Sequence, residues 1–188
     1  LLLFLLLPLV GCPKKPVEPL VKSGTYQNSP EELKRLWSDI LLACQKDDRP
    51  RVHELMTSFV LEKAEFETLV GKAQAQASWP RYLAMLGSVV NAGAVELVAH
   101  VYEKKYDDIA VNRVDDLPYA EQVDSDRNVA LALAKAGATR PFYTVRVKRR
   151  TETRGLRYDF FVYINGYWRS GNLIGKFLPP APAPAAAD

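Results

Sequence analysis

Residues 158–169 read Tyr-Asp-Phe-Phe-Val-Tyr-Ile-Asn-Gly-Tyr-Trp-Arg, and this segment determines the class of fold. Apolar or aromatic side chains recur at every second position, in the order Tyr158, Phe160, Val162 and Ile164, with Asp159, Phe161 and Tyr163 between them. That period is typical of a β-strand. Asn165-Gly166 is a dipeptide favoured in two-residue hairpin turns, because both turn positions need a positive φ. Residues 167–173 are therefore predicted to return as an antiparallel partner strand.

A second strand signal lies upstream at residues 143–148. Tyr143, Val145 and Val147 alternate there with polar residues. The charged segment Thr151–Gly155 is predicted to be the hairpin loop that joins this strand to the next. The C-terminal part of the chain is thus predicted to be a three-stranded antiparallel meander.

The N-terminal half has the 3.6-residue period of amphipathic helices. Ser29-Pro30-Glu31-Glu32 predicts a helix start, because Ser29 can cap the helix and Glu32 completes a capping box. Further helices are predicted after Asp47-Asp48-Arg49-Pro50, around residues 61–70 and from Ser78 to Gly93, with residues 72–78 as a linker.

The period changes after Gly93. Apolar side chains occupy every second position from Val95 to Val101, so this segment is predicted to form a half-buried strand. Residues 109–114 are predicted to be its partner strand. A late helix is predicted at residues 126–136. Helices first and antiparallel strands last predict a single α+β domain over residues 29–178, with N-terminal helices packed on a curved antiparallel sheet that ends in a C-terminal β-meander.

The segment Val162–Arg169 resembles the final hairpin of the nuclear-transport-factor-2-like superfamily, whose members are cone-shaped α+β barrels. The resemblance implies a concave pocket that holds a small apolar molecule, with isomerase or dehydratase-type activity. The aromatic side chains of the meander have two interpretations, core packing or pocket lining. The candidate pocket residues are Tyr158, Phe161, Tyr163 and Trp168.

Leu9-Val10-Gly11-Cys12 ends an apolar run that begins at Leu1, and a polar segment, Pro13-Lys14-Lys15-Pro16, follows it. A small residue before a cysteine at such a place resembles the lipobox of bacterial lipoprotein precursors. The resemblance implies cleavage before Cys12, a diacylglycerol on its sulfur and an acylated new N-terminus, with chains of the palmitate type. Because Pro13 rather than an aspartate follows the cysteine, it also favours the outer membrane.

Residues 1–11 are expected to be the remnant of a signal peptide. The apolar run falls within the roughly 7–15 residues of a secretory apolar core and below the roughly 20 that span a bilayer. Residues 12–28, rich in Pro and Lys, are predicted to tether the domain to its lipid. Residues 179–188, almost all Pro and Ala, are predicted to be a disordered tail.

Composition argues against several classes of function. A formal charge of +3 is too small to indicate nucleic-acid binding. The chain has two cysteines, and if Cys12 is acylated then Cys44 is alone, on a stripe predicted to be buried. With only His53 and His100 besides, no zinc site is predicted, and no motif indicates a cofactor or a catalytic residue.

The predicted hairpin around residues 148–157 has a concentration of basic residues. Arg149, Arg150 and Arg154 are candidate anion-binding residues, and a solvated surface is the alternative interpretation. The partner would be an anionic lipid or an acidic surface of an envelope protein. The sequence therefore leaves two hypotheses, a lipid-anchored, non-enzymatic binding module of the bacterial cell envelope or a small-molecule-binding domain.

Overall fold

The computed structural model describes residues 24–116, 140–171 and 174. The elements in chain order are α1 (Pro30–Gln45), α2 (Arg49–Thr57), α3 (Lys63–Val70), α4 (Lys72–Lys104), β1 (Asp108–Arg113), a 3-10 turn (Val114–Asp116), β2 (Tyr143–Lys148), β3 (Gly155–Ile164) and β4 (Tyr167–Ser170). The predicted α+β class, with helices before an antiparallel sheet, is confirmed. The predicted leader, the helix at 126–136 and the tail at 179–188 lie outside the described residues.

The first helix begins where the sequence predicts. The Ser29 Oγ accepts a hydrogen bond from the backbone N–H of Glu32 at 3.2 Å, and Pro30 occupies the first helical position. The Glu32 carboxylate does not close a capping box on Ser29, since it accepts instead from the backbone N–H of Gln27 at 3.4 Å. The buried side of α1 follows the predicted stripe and comprises Leu33, Leu36, Trp37, Ile40, Leu41, Ala43 and Cys44.

The longest helix, α4, corrects two predictions. Residues 72–78 are helical rather than a linker, because their alternating Ala and Gln favour helix without an apolar stripe. Residues 95–101 are also helical rather than a strand. The buried side chains Ala94, Leu97, Val98 and Val101 have the spacing of one helix face, whereas Val95 and Tyr102 are 60% and 81% exposed.

The ends of α4 also differ from the prediction. Pro80, expected in a first turn, lies inside the helix, and the chain continues helical past Gly93 to Lys104. Lys105 then ends the helix in a left-handed conformation, with φ of 52°. No single helix among the described residues is long and apolar enough to cross a membrane. The two parts of α4, Lys72–Leu86 and Val90–Lys104, are bent by 43° relative to each other, and only together do they have the length and composition of a membrane span.

The sheet is antiparallel throughout, in the order β1-β2-β3-β4. β1 was predicted to pair with residues 95–101, but it pairs with β2, where Ile109 lies opposite Val147. The predicted tight turn between β3 and β4 is confirmed, since Asn165 and Gly166 have φ of 53° and 86°.

A β-bulge in β3 changes which aromatic side chains share a face. Val145 of β2 lies opposite Tyr158 and Tyr143 lies opposite Phe161, so β3 contains one extra residue at this place. Phe160, within the bulge, has a φ of 61°. The predicted alternation of Tyr158 with Phe160 on one face is therefore wrong, because the bulge puts Phe160 on the opposite side.

Two hydrophobic clusters result. The first joins α1, α2 and the end of α4 to one face of the sheet, including Val145, Val147, Phe161 and Trp168. The second joins α3 and the first half of α4 to the opposite face of β3, where Phe160, Val162 and Ile164 lie. The bulge is the reason that a single strand contributes to both.

Candidate functional site

A cavity of about 120 Å³ lies where the two clusters meet. The helices α1, α2 and α4 and the strand β3 all contribute to its walls. The lining is mainly aromatic and aliphatic, and it includes Trp37, Met56, Phe59, Tyr82, Tyr158 and Phe161. Such a space, lined mainly by apolar side chains and partly open at the surface, suits a small apolar group rather than a charged one.

Trp37 is the centre of the aromatic wall. Its ring centroid lies 4.6 Å from that of Tyr158, 5.5 Å from that of Phe161 and 5.6 Å from that of Phe59. The rings of Phe59 and Phe161 meet edge to face at 4.9 Å. These packed rings fix the position of the Trp37 indole.

The polar atoms around the cavity are neutral. The Trp37 Nε1 is buried, and it has no hydrogen-bond partner in the part of the chain that the structure describes. The Tyr82 hydroxyl oxygen accepts from the backbone N–H of Leu61 at 3.3 Å, and burial raises the Tyr82 pKa to about 12. Burial also raises the pKa of Tyr158 well above its ordinary value.

The four candidate pocket residues separate into two groups. Tyr158 and Phe161 line the cavity. Tyr163 and Trp168 pack against each other at 5.3 Å, and the Trp168 Nε1 donates to the backbone oxygen of Gln27 at 3.1 Å. Sequence reasoning did not identify Trp37 or Phe59 as pocket residues, because a helical stripe gives no signal that distinguishes cavity lining from core.

An open groove of about 740 Å³ lies between the end of α4 and the β2–β3 hairpin. Its basic lining residues are His100, Lys104, Arg149 and Arg154. We call this surface the cationic groove. Among the candidate anion-binding residues, Arg149 and Arg154 line it, whereas Arg150 lies beside it with its backbone N–H donated to the Asp107 carboxylate at 2.8 Å.

Much of the basic charge near this groove is already paired. Lys148 Nζ lies 2.9 Å from Asp108 Oδ2, and Arg157 Nε lies 2.6 Å from Asp159 Oδ1. The Arg149 guanidinium pairs with the Glu152 carboxylate inside the groove. Lys104 and Arg154 form no ion pair with any described residue, although the Glu152 carboxylate also acts on Lys104 electrostatically. The groove lining keeps a net positive charge, because three basic side chains face one carboxylate.

His100 lies on α4 rather than on a strand, at the edge of the groove. Its Nδ1 is 2.9 Å from the backbone oxygen of Glu96, one helical turn away. His53 is exposed, and its Nε2 lies 2.8 Å from Asn91 Oδ1. In the described ranges, no group of three or more His, Cys, Asp and Glu side chains is placed to hold a metal ion.

The segment that precedes α1 is docked on the opposite end of the sheet. The backbone N–H of Gly24 donates to the oxygen of Gly166 at 3.1 Å, and the buried Tyr26 donates to Asp39 Oδ2 at 2.7 Å. The Arg35 guanidinium also covers the Tyr26 ring, at 4.8 Å from its centroid. The predicted tether of residues 12–28 therefore meets the domain at Gly24, and its last residues belong to the folded part.

The tether and the cationic groove thus lie at opposite ends of one strand. Gly24 contacts the β3–β4 turn, whereas the groove is formed by the loop that precedes β3. β3 contains ten residues, which corresponds to about 30 Å. The groove is therefore far from the point where the N-terminal segment joins the domain.

No protein-family model, curated protein or solved structure matches this chain.

Proposed function

We propose that this chain is a lipid-anchored protein of the bacterial cell envelope, in the outer membrane, and that its domain is a non-enzymatic binding module. The lipobox-like segment Leu9–Cys12 supports the anchor. The cationic groove supports the binding role, and its partner is an acidic surface on another envelope protein. The observation on which this rests is the position of the groove relative to the end of the tether.

With the lipid on Cys12, the segment of residues 13–23 spans at most about 40 Å when fully extended. The tether joins the domain at the β3–β4 turn, so whenever the tether is short of its full reach this turn is the part nearest the anchoring membrane, and the groove is about 30 Å from it. With that orientation, the groove is better placed to bind another protein than to bind the lipid headgroups of the anchoring membrane.

The charge of the groove sets the chemistry of the partner. Lys104 and Arg154 are exposed, and together with Arg149 they outnumber Glu152, the one carboxylate of the groove lining. Exposed charges of this kind raise the rate of encounter with an acidic surface, and salt screens them over about 8 Å at physiological ionic strength. We expect binding to weaken steeply as salt is added.

The test uses an oligoglutamate peptide as the probe. Lys104→Gln combined with Arg154→Gln should weaken binding of the peptide at low salt. Lys72→Gln is the matched control, because Lys72 is exposed at the other end of the same helix. Equal binding by the groove variant and the wild type, or an equal loss in the control, would contradict the proposal.

Anionic vesicles provide the competing outcome. If vesicles that contain phosphatidylglycerol bind through Lys104 and Arg154 while the peptide does not bind, the partner is a lipid headgroup and the proposed orientation is wrong. Binding of the peptide alone supports an acidic protein partner.

The second candidate function is a small-molecule-binding domain of the cone-like kind. The cavity at Trp37 favours the binding part of this hypothesis. Its lining suits holding an uncharged ligand rather than acid–base chemistry, since Tyr82 and Tyr158 both have raised pKa values.

A further inference from the structure

The sheet has two edge strands, β1 and β4, and the chain itself covers only one of them. At β4, the backbone N–H of Ser170 donates to the oxygen of Phe59 at 2.8 Å. At the turn before β4, the N–H of Gly24 donates to the oxygen of Gly166 at 3.1 Å. No described segment pairs with the outer side of β1. An uncovered edge presents a row of backbone donors and acceptors to which another strand can bind.

The pairing of β1 with β2 decides which backbone groups face outward. The N–H of Val114 donates to the oxygen of Phe142 at 2.9 Å, so these two residues form a hydrogen-bonded pair. Such pairs alternate along an antiparallel ladder, so every second residue of β1 directs its N–H and C=O to β2. Val111 and Arg113 lie between those residues, and their N–H and C=O groups point away from the sheet.

The edge is open over the second half of β1. Ile109 is buried, and the Asp108 carboxylate interacts with its N–H, so the first half is closed. Val111 is half-buried, whereas Asn112 and Arg113 are exposed. β1 contains no Lys or Pro and pairs with β2 without a bulge, so it lacks these common blocks to strand addition.

We propose that the second half of β1 binds an extended segment of another protein, which adds to the sheet as an antiparallel strand. The N–H and C=O groups of Val111 and Arg113 bond to the backbone of that segment. Val111 packs at the rim of the first hydrophobic cluster, and the residue directly opposite it shares its face, so that residue is apolar. The site is separate from the cationic groove, which lies beyond the other end of β1, next to Lys148.

A second copy of this chain is a poorer occupant of the edge. Antiparallel pairing of two β1 strands turns one copy end for end, so the two β3–β4 turns lie at opposite ends of the joined sheet. The tether joins the domain at this turn. With the anchor proposed above, one of the two tethers would therefore have to extend along the sheet, which is about 30 Å for β3. A segment of another protein has no such restriction.

Hydrogen exchange of the full chain, followed by NMR, tests whether the edge is open. The amide protons of Val111 and Arg113 should exchange at least about tenfold faster than those of Ala110 and Asn112, because only the latter are bonded to β2 and exchange after an opening. Equal, slow exchange at all four residues would show that the edge is closed, and the proposal would fail. This measurement needs neither the lipid anchor nor the cationic groove.

The binding probe is the capped peptide Thr-Val-Thr-Val-Thr. At millimolar concentration it should slow exchange at Val111 and Arg113 and leave Ala110 and Asn112 unchanged. N-methylation of its two valines removes the N–H groups that face β1, and it should weaken binding by at least about tenfold, the scale of two hydrogen bonds. N-methylation of two threonines instead is the matched control and should retain binding. Equal binding of the two methylated peptides, or no effect of the unmodified peptide, would overturn the proposal.

Val111→Pro removes the outward N–H and leaves the hydrogen bonds between β1 and β2 in place. Val111→Thr is its matched control, since it changes the side chain and keeps the N–H. The proline variant should bind the peptide about fivefold more weakly than the threonine variant, the scale of one hydrogen bond. Equal binding by the two variants would contradict the proposal. A wild-type dimer in sedimentation that Val111→Pro abolishes would identify a second copy as the occupant and would also overturn it.

Discussion

Arg169 is the residue whose replacement should damage the fold most specifically. It extends from β4 into the space under α3, where its Nε lies 2.9 Å from Oε2 of Glu65. The two side chains are 7% and 1% exposed. The contact is a charge pair rather than an aligned hydrogen bond, because the Nε–H has no acceptor in line. Arg169 Nη1 also donates to the backbone oxygen of Ser58 at 2.7 Å.

Arg169→Met removes the cation and leaves the Glu65 carboxylate buried. Breaking a buried pair from one side destabilises proteins by about 3–5 kcal/mol. A domain of ordinary stability, about 5–15 kcal/mol, would lose roughly a fifth of it or more. Adding Glu65→Gln removes the stranded charge and retains an oxygen for the N-terminal cap of α3. The double variant should therefore regain part of the loss.

Urea denaturation of the wild type, both single variants and the double variant measures the coupling between the two residues. We expect a coupling energy of about 1–3 kcal/mol. Arg113→Met is the control, since its pair with Asp115 is exposed, and it should cost less than about 1 kcal/mol. The Arg169–Glu65 pair does not stabilise the fold if Arg169→Met costs no more than Arg113→Met, or if the effects of Arg169→Met and Glu65→Gln simply add.

Three further predictions follow from single residues. Burial raises the pKa of the Cys44 thiol to about 12, so Cys44 should not react with a disulfide reagent at pH 8 until urea unfolds the chain, and rapid labelling of the native protein would contradict this. The hydrogen bond from Lys148 lowers the pKa of Asp108 below its ordinary 3.8, so the pair stabilises the fold above that pH and its contribution disappears as the pH falls through the lowered pKa. Asp108→Asn should therefore destabilise by up to about 1 kcal/mol at neutral pH and by less in acid, and an equal loss in denaturation curves at both pH values would count against the pair. Gly93→Ala should raise the free energy of unfolding by about 0.5–1 kcal/mol, because an added Cβ inside α4 meets no atom within 4 Å, and a decrease would show that the helix needs glycine there.

Local signals explain the parts of the fold that the sequence predicts well. Ser29 and Pro30 mark the start of α1 through the backbone groups next to them, and Asn165-Gly166 specifies its turn by its own φ preferences. Burial of Cys44 follows from its place on the α1 stripe. Each of these depends on neighbours within one turn of chain.

The errors come from places where two local patterns compete or where tertiary packing decides. Residues 94–101 fit both a strand alternation and a helix face, and packing of Leu97, Val98 and Val101 against the first cluster selects the helix. The bulge at Phe160 depends on how β3 pairs with β2, and the sequence of β3 alone does not predict that pairing. The cavity is set by contacts between α1, α2, α4 and β3, so its lining cannot be read from one segment.

The anchor is tested by weighing the mature protein after expression of the precursor in a bacterium, with Cys12→Ala alongside. We expect a mass that corresponds to cleavage before Cys12 plus attached acyl chains, and the loss of both in the variant. An unprocessed, unlipidated product from the wild-type chain would show that Cys12 does not anchor the protein.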